Sequence, residues 1–473
     1  MKPFIYVFLV DNEPYFYDVN RNEIIKISKG SFNILEDIKR NNSNKVILND
    51  ELFKLKENGY LSEHRPKNIE HPTTDSLDIL LSRNLSLLTM QLTQNCNLRC
   101  SYCPYTSNDG TNRTHNNKSI DISVAKKAIL FLRDHSVDSE YVMIGFYGGE
   151  PTIEAEELKE IVSYANSIFY GKRIRYTITT NGTLLGYDIL KFLEENNFDL
   201  IFSIDGPKEI NDKNRRYVSS NRSVFDNVVS KLNLVYKDLP ELFKATSINM
   251  VIDPQYGLDI YEKLFEESEA LRKVKVSISI LDDGYKTNKN IFSEKFVEQY
   301  NSRKKEYIDY LFLRIKNIKP FTNISFYESL FLPSIEKLIN GLYHSNGLGE
   351  IVCPSGQCIP GHTRLMVDVN GNFYPCERVS EECEFNIIGD VFNGLNKEKT
   401  NFILNIAKNG DNNCYECFAI RHCDVCVKLY EKKLLDKSSN MIHECRNVKS
   451  SFHDYLIDYI KFNKKYMEAD YER

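Results

Sequence analysis

Gln94-Asn-Cys96-Asn-Leu-Arg-Cys100-Ser-Tyr-Cys103-Pro104 follows directly on a β-type apolar run at residues 85–93. Three cysteines fall within eight residues of one short loop. Three thiolates so spaced can hold three irons of a [4Fe–4S] cubane. The fourth iron then lacks a protein ligand and stays open to substrate, like the open position of a catalytic metal site. Zinc is the competing reading. It wants a fourth Cys or His nearby, and the next downstream candidate is His115.

Outward from this loop the chain alternates. Strand patterns recur at 85–93, 141–147, 173–180, 198–204, 246–252 and 274–281, with helical periodicity at 123–135, 154–170, 187–196, 224–239 and 258–271. Strands that alternate in order with helices predict a parallel α/β sheet or partial barrel. Sites in such folds lie at the C-terminal ends of the strands.

Short polar motifs stand at those ends. Gly148-Gly149-Glu150-Pro151 closes the second strand, Thr180-Asn181-Gly182-Thr183 the third and Ser203-Ile204-Asp205-Gly206 the fourth. Each alone is an ordinary turn sequence. In register behind Cys-x3-Cys-x2-Cys, they make residues 84–285 resemble the radical S-adenosylmethionine superfamily. The resemblance implies a partial (β/α)6 barrel and a [4Fe–4S] cluster on Cys96, Cys100 and Cys103. It also implies reductive cleavage of S-adenosylmethionine to a 5′-deoxyadenosyl radical, which takes hydrogen from an unactivated C–H. Gly148 and Gly149 would let the backbone approach closely, and Glu150 would meet the cofactor's amine. Ser203 and Asp205 offer polar groups to ribose hydroxyls. Arg215 can fork onto the carboxylate, Tyr102 would lie by the adenine, and Thr180 and Asn181 complete the pocket. Loop packing is the other reading of Tyr102, Thr180 and Asn181, and a solvated charge beside Arg216 that of Arg215.

Of the twelve cysteines, nine lie between 353 and 445. Clustering of this kind points to metal binding rather than scattered buried thiols. Cys358-x12-Gly371-x4-Cys376 and Cys414-x2-Cys417-x5-Cys423-x2-Cys426, followed by Cys445, resemble the SPASM domain, which carries two auxiliary [4Fe–4S] clusters. The resemblance assigns Cys353, Cys358, Cys376 and Cys426 to one and Cys414, Cys417, Cys423 and Cys445 to the other. The gap before Cys426 is one residue shorter than the family's, and Cys383 is extra, read as a free thiol. Cys414-x2-Cys417 with Cys423-x2-Cys426 also fits a zinc ribbon. Glu377, after Cys376, holds the place of an Asp that acts as a base in sulfatase-maturating relatives; it can serve as a base or pair with Arg378.

Residues 1–75 are expected as a small α+β module: three short strands, two helices, then a Pro- and His-containing linker at 62–75. The layout resembles the winged-helix RiPP recognition element, which binds the leader of a precursor peptide by strand addition; a capping subdomain is the alternative. The remaining boundaries are a helical connector at 286–340, a cysteine-rich iron–sulfur domain at 341–450 and a closing helix at 451–473.

The 473 residues are 42% hydrophobic and 27% charged, with net charge −5, which gives no nucleic-acid footprint. No apolar run reaches the length of a membrane span, and no cleavable leader is visible, so a cytoplasmic location is expected. Together these features resemble radical maturases of ribosomal, cysteine-rich peptides. The expected reaction is a sulfur-to-carbon thioether cross-link on a leader-bound precursor peptide, with flavodoxin or ferredoxin as electron donor. A carbon–carbon cyclase, a sulfatase-maturating enzyme and a non-catalytic zinc scaffold are the alternatives.

Overall fold

Six parallel strands, Leu87–Thr93, Tyr141–Gly148, Arg173–Thr180, Phe198–Ser203, Thr246–Ile252 and Lys275–Ile280, lie side by side in sequence order. In the computed structural model, which describes residues 2–41, 48–103, 105, 113–281, 292–313, 321–354, 356, 358–409, 414–435 and 442–467, they form the frame of the larger of two compact units. Pro104 and parts of the connector lie outside the described residues.

Residue alternation explains why the sheet is covered on one side. Leu88, Met90, Val142, Ile144, Phe146, Ile178, Leu200, Phe202, Ile248 and Met250 are fully buried. Between them stand half-buried Thr177, Thr179, Ser203 and Asn249. A doubly covered sheet reads as continuous apolar runs; this alternation leaves one face polar, as the inner wall of an open barrel requires. Helices start where a side chain can cap them. Asp121 accepts from Ser123 N before Ile122–His135, and Ser223 from Asp226 N before Val224–Asp238. The single helix expected at 258–271 is instead broken. Extended Ser268 caps a new start at Glu269–Lys273, leaving Leu258–Lys263 separate.

The sheet continues beyond the barrel. Arg364–Val367 pairs in parallel with the first barrel strand, and Asn372–Tyr374, Gly389–Asp390 and Gly394–Leu395 follow antiparallel. Residues 359–400 therefore belong to the barrel unit, while 334–358 and 401–473 belong to the other. The stretch expected as one cysteine-rich domain is thus shared by both. The boundary expected at 450/451 falls inside a helix, Ile442–Phe462.

The second unit also contains residues 1–76. Strands β1 (Ile5–Val10), β2 (Glu13–Asp18) and β3 (Glu23–Lys26) form an antiparallel meander, followed by helices α1 (Lys29–Asn41) and α2 (Asp50–Glu57). Asp11 and Asn12, at φ 50° and 63°, make the two-residue turn. One sheet face packs on Leu35, Ile38 and Leu52 of its own helices. The other shares a core with Ala419, Ile420, Phe452 and Leu456. The 62–75 linker is built in as well: Asn68–Ile69 pairs with Ile351–Val352, and His71 N donates to Asn405 Oδ1 at 2.8 Å. No described helix is long and apolar enough to cross a membrane.

Candidate cofactor and iron–sulfur site

The cysteine loop is held from both sides. Residues Leu98–Cys100 pair antiparallel with Arg215–Tyr217, and Ser101 N donates to Asn214 O at 2.9 Å. From the other side, Gly149 N donates to Thr93 O at 2.7 Å and Glu150 N to Asn95 O at 2.8 Å. A Cβ on Gly148 would sit 2.3 Å from Thr93 O, and one on Gly149 2.1 Å from Asn95 O. The close approach that these glycines permit is thus to the backbone carrying Cys96.

Burial, helped by the neighbouring Cys103, pushes the Cys96 thiol up to about 11 and Cys100 up to about 12. Thiols grouped in this way are poor anions by themselves. Metal coordination deprotonates such ligands, so the donor set suits a cluster. Among the described residues no three of His, Cys, Asp and Glu converge tightly enough for one ion. The thiolates of a cubane sit on separate irons and need no such convergence.

Two polar groups flank the loop. In the first, buried Glu150 accepts at Oε1 from Thr152 N (3.1 Å), Thr152 Oγ1 (2.5 Å) and Thr180 Oγ1 (2.6 Å), and at Oε2 from Asn181 N (2.7 Å). Oε2 keeps acceptor capacity for one further donor, which fits an amine. Asn181 Nδ2 also reaches Cys96 Sγ at 3.8 Å, tying this group to the cluster ligands. In the second, Tyr102 donates to Asp205, while Arg215 Nη1 donates to the Tyr102 hydroxyl at 2.7 Å and lies 3.8 Å from Asp205 Oδ2. Arg215 is buried, not a solvated charge, and its Nε has no hydrogen-bond partner. A buried cation with a spare N–H fits a carboxylate. Ser203 lies two residues before Asp205, in register with Asn249, and shares none of these bonds.

A third group carries no motif and escapes sequence reasoning. Arg113 and Glu381, with side chains 1% and 8% exposed, stand 3.0 Å apart, and Gln91 Nε2 donates to Tyr105 Oη and Glu381 Oε1 at 2.6 Å each. Arg113 also donates to the backbone carbonyls of Glu377 and Val379. Tyr147 feels the charges of Arg113, Cys103, Glu377 and Glu381. The cluster thus ties the segment after Cys376 to the barrel's first strand. Gln91 was recoverable: with Thr89 and Thr93 it makes a polar period of two inside an apolar strand. Glu377 pairs with Arg364 at 3.3 Å, in place of the expected Arg378, and its Oε2 is buried without a hydrogen-bond partner.

Of the later cysteines, Cys376 belongs to the barrel unit, while Cys353, Cys358, Cys414, Cys417, Cys423, Cys426 and Cys445 belong to the other. Cys417, Cys423 and Cys445 are electrostatic neighbours, and Cys423 is pushed up to about 11, chiefly by burial. Cys417 N donates to Cys414 O at 3.1 Å. Gly356, at φ +102°, lies so close to Asp424 that a Cβ would be 2.5 Å from its backbone carbon. The loop between Cys353 and Cys358 therefore lies against the residue two before Cys426. Cys383 is a buried thiol, 4% exposed.

A parallel barrel with three thiols on one loop, Cys100 buried and Cys96 and Cys103 half-buried, and two polar cradles at its strand ends defines a catalyst for a cluster-bound cofactor. Residues 90–267 match the model of the Radical SAM superfamily: the chain carries a radical SAM domain and is a radical SAM enzyme. A domain of this superfamily implies a [4Fe–4S] cluster and S-adenosylmethionine. It is 35% identical over 153 residues to an uncharacterized protein of Methanocaldococcus jannaschii, a match spanning 32% of this chain and 50% of that relative. A cysteine-type anaerobic sulfatase-maturating enzyme of Clostridium novyi is 23% identical over 345 residues, 71% of this chain and 85% of the relative. A solved structure titled as native anSMEcpe with bound AdoMet and Cp18Cys peptide superposes with TM-score 0.55 at 20% identity, covering 82% of this chain and all of that one. The fold is shared.

Proposed function

We propose that this radical SAM enzyme is a peptide maturase that joins a cysteine sulfur to a carbon of a ribosomally made precursor, held through its leader. The observation that carries this reading is the second cysteine group. Cys414, Cys417, Cys423 and Cys445 are the proposed ligands of one auxiliary cluster; Cys353, Cys358, Cys376 and Cys426 are assigned to the other by resemblance. When bound, the clusters and S-adenosylmethionine supply one-electron chemistry. The chain's own part is positional: Glu150 and Arg215 hold the amine and carboxylate ends, and Arg113 fixes the segment bearing Glu377. The free Oε2 of Glu377 suits a base that takes a substrate proton. Thioether formation retains sulfur and removes two hydrogens: one would leave the carbon as a hydrogen atom to the deoxyadenosyl radical, and the thiol's would leave as a proton to Glu377 with the surplus electron going to an auxiliary cluster. Flavodoxin or ferredoxin is the proposed donor and the cytoplasm the proposed location.

The named relatives favour a second reading, oxidation of a cysteine or serine on a sulfatase chain. Iron and sulfide are counted in the anaerobically reconstituted wild type and in a Cys96/Cys100/Cys103→Ala variant. Three clusters give about twelve irons, falling to about eight. Mass spectrometry of a cysteine-rich precursor after thiol reduction and alkylation then decides: loss of two hydrogens with one cysteine no longer alkylated supports the thioether, whereas loss of sulfur from a sulfatase cysteine peptide, or of two hydrogens from a serine one, replaces it with the second reading.

A further inference from the structure

The strand pairing that clamps the cysteine loop has two faces, because successive residues of a strand point to opposite sides. Leu98 and Cys100 are buried, and Cys100 stands opposite Arg215 on the cofactor side. Arg99 and Arg216 therefore lie on the other side, directly opposite one another. Arg216 is exposed and Arg99 half-buried. Like charges opposed across two strands are destabilising. Arg99 Nη1 donates to the carbonyls of Cys96 and Leu98 at 2.8 Å each. Among the described residues neither arginine makes an ion pair.

A third cation joins them. Exposed Arg222 lies over the ring of Tyr217, at the end of the same strand, 5.8 Å from its centroid. Nearby Lys213 is spoken for: it donates to the Tyr256 hydroxyl at 2.6 Å and has Asp253 as a charge neighbour. The carboxylates of this segment are engaged as well. Asp212 accepts from Ser223 Oγ at 2.6 Å and Phe225 N at 2.8 Å, and Asp226 pairs with Lys208. Exposed Glu209 lies one turn from Lys213. Arg99, Arg216 and Arg222 thus form a positive island on a chain of net charge −5. Beside it Val218, 58% exposed, donates from its N–H to Asn97 O at 3.0 Å. Asn97 Nδ2 donates to Thr183 Oγ1 at 2.8 Å, next to Leu184, which is 46% exposed. The face therefore carries an apolar spot with a cationic border.

We propose that this outer face of the cysteine loop docks an acidic one-electron carrier protein, the reductant of the cluster. Arg99 stands between Cys96 and Cys100 in the chain, so a partner seated on it has the loop alone between itself and the cluster. Arg215 lies on the inner side, which leaves the outer face for the carrier. Opposite charge draws the carrier in against the net charge of the whole chain, and a small apolar contact suits a transient redox encounter. One electron leaves the reduced carrier and enters the oxidised cluster, with no bond or proton transferred. The inference rests on the donor class proposed above and not on the peptide modified. Reduced flavodoxin is mixed with the full reconstituted protein, and the electron paramagnetic resonance signal that Cys96/Cys100/Cys103→Ala lacks is followed by rapid freezing. Binding of dye-labelled flavodoxin is titrated by fluorescence anisotropy. Arg216→Glu and Arg222→Glu reverse exposed charges at separate positions, so the test survives the misfolding of either. Each should weaken binding and slow reduction about tenfold at low salt, and the difference from wild type should shrink as salt rises. Reduction by methyl viologen, a small molecule that needs no docking face, should stay at the wild-type rate. Binding and reduction by flavodoxin unchanged in both variants overturn the proposal. So does equal slowing with methyl viologen, which would place the defect in the cluster itself. Normal reduction with an unaltered precursor would sink the maturase reading and leave the docking face standing.

Discussion

Arg215 stands opposite Cys100 across the antiparallel pairing that clamps the cysteine loop. The same guanidinium holds Tyr102 and counters the carboxylate of fully buried Asp205. One residue thus joins the cluster loop, the fourth strand's end and the pocket between them. Arg215→Ala leaves Asp205 as an uncompensated buried charge, with an expected cost of about 3–5 kcal/mol in denaturant unfolding. Arg215→Lys keeps the charge but not the fork. It should recover most of that stability while S-adenosylmethionine affinity, read by equilibrium dialysis, stays low.

Gly149→Ala should act on the cluster before it acts on the fold. Its Cβ would lie 2.1 Å from Asn95 O, a backbone atom that cannot swing away as a flexible side chain does. The loop has to move, and Cys96 with it. Reconstituted protein should lose about four irons per chain while its far-ultraviolet dichroism stays native. Full iron content would remove the claim that this contact sets the loop.

The buried pair Arg113–Glu381 gives a cycle with a definite sign. The Nε–Oε1 distance is 3.0 Å, yet Nε makes no well-aligned hydrogen bond, so charge dominates the pairing. Arg113→Met or Glu381→Gln alone should each cost about 3–5 kcal/mol, and the double variant less than the sum of the two. Additive losses would show that the two charges are independent.

The barrel was legible because its signal is local. Apolar alternation in residues 173–180 and 246–252 sets those strands without any long-range information, and the strand-end motifs mark the cofactor side. Arg113 was not legible. It lies in irregular backbone, and its partners at 377, 379 and 381 are distant in sequence. The 341–450 region misled for a related reason. Its cysteine spacing reads as one domain, but the Arg364–Val367 strand pairs with residues 87–90, and pairing between strands remote in sequence leaves no periodic trace. The break in the 258–271 helix was readable in principle, since Ser268 followed by Glu269 is an N-cap signal inside a helical pattern.

His115 should make the barrel unit sensitive to acid. Burial, with Arg99 nearby, lowers its pKa from 6.5 to about 4. The ring stacks on Tyr105 with centroids 5.3 Å apart and pairs with Gln94 O at 3.3 Å. Between those two pH values the unfolded chain binds a proton that the folded chain refuses. Stability from this group is therefore complete above 6.5 and is lost as pH falls towards about 4. Buried Asp205 and Glu381 act oppositely: burial raises their pKa values, so acidification favours the folded state through them. The wild type alone thus reports a sum of opposing slopes. His115→Phe keeps an aromatic ring against Tyr105 and removes the titration. Below pH 6.5 the urea midpoint of the wild type should fall relative to that of His115→Phe, and parallel curves for the two would show that His115 titrates normally.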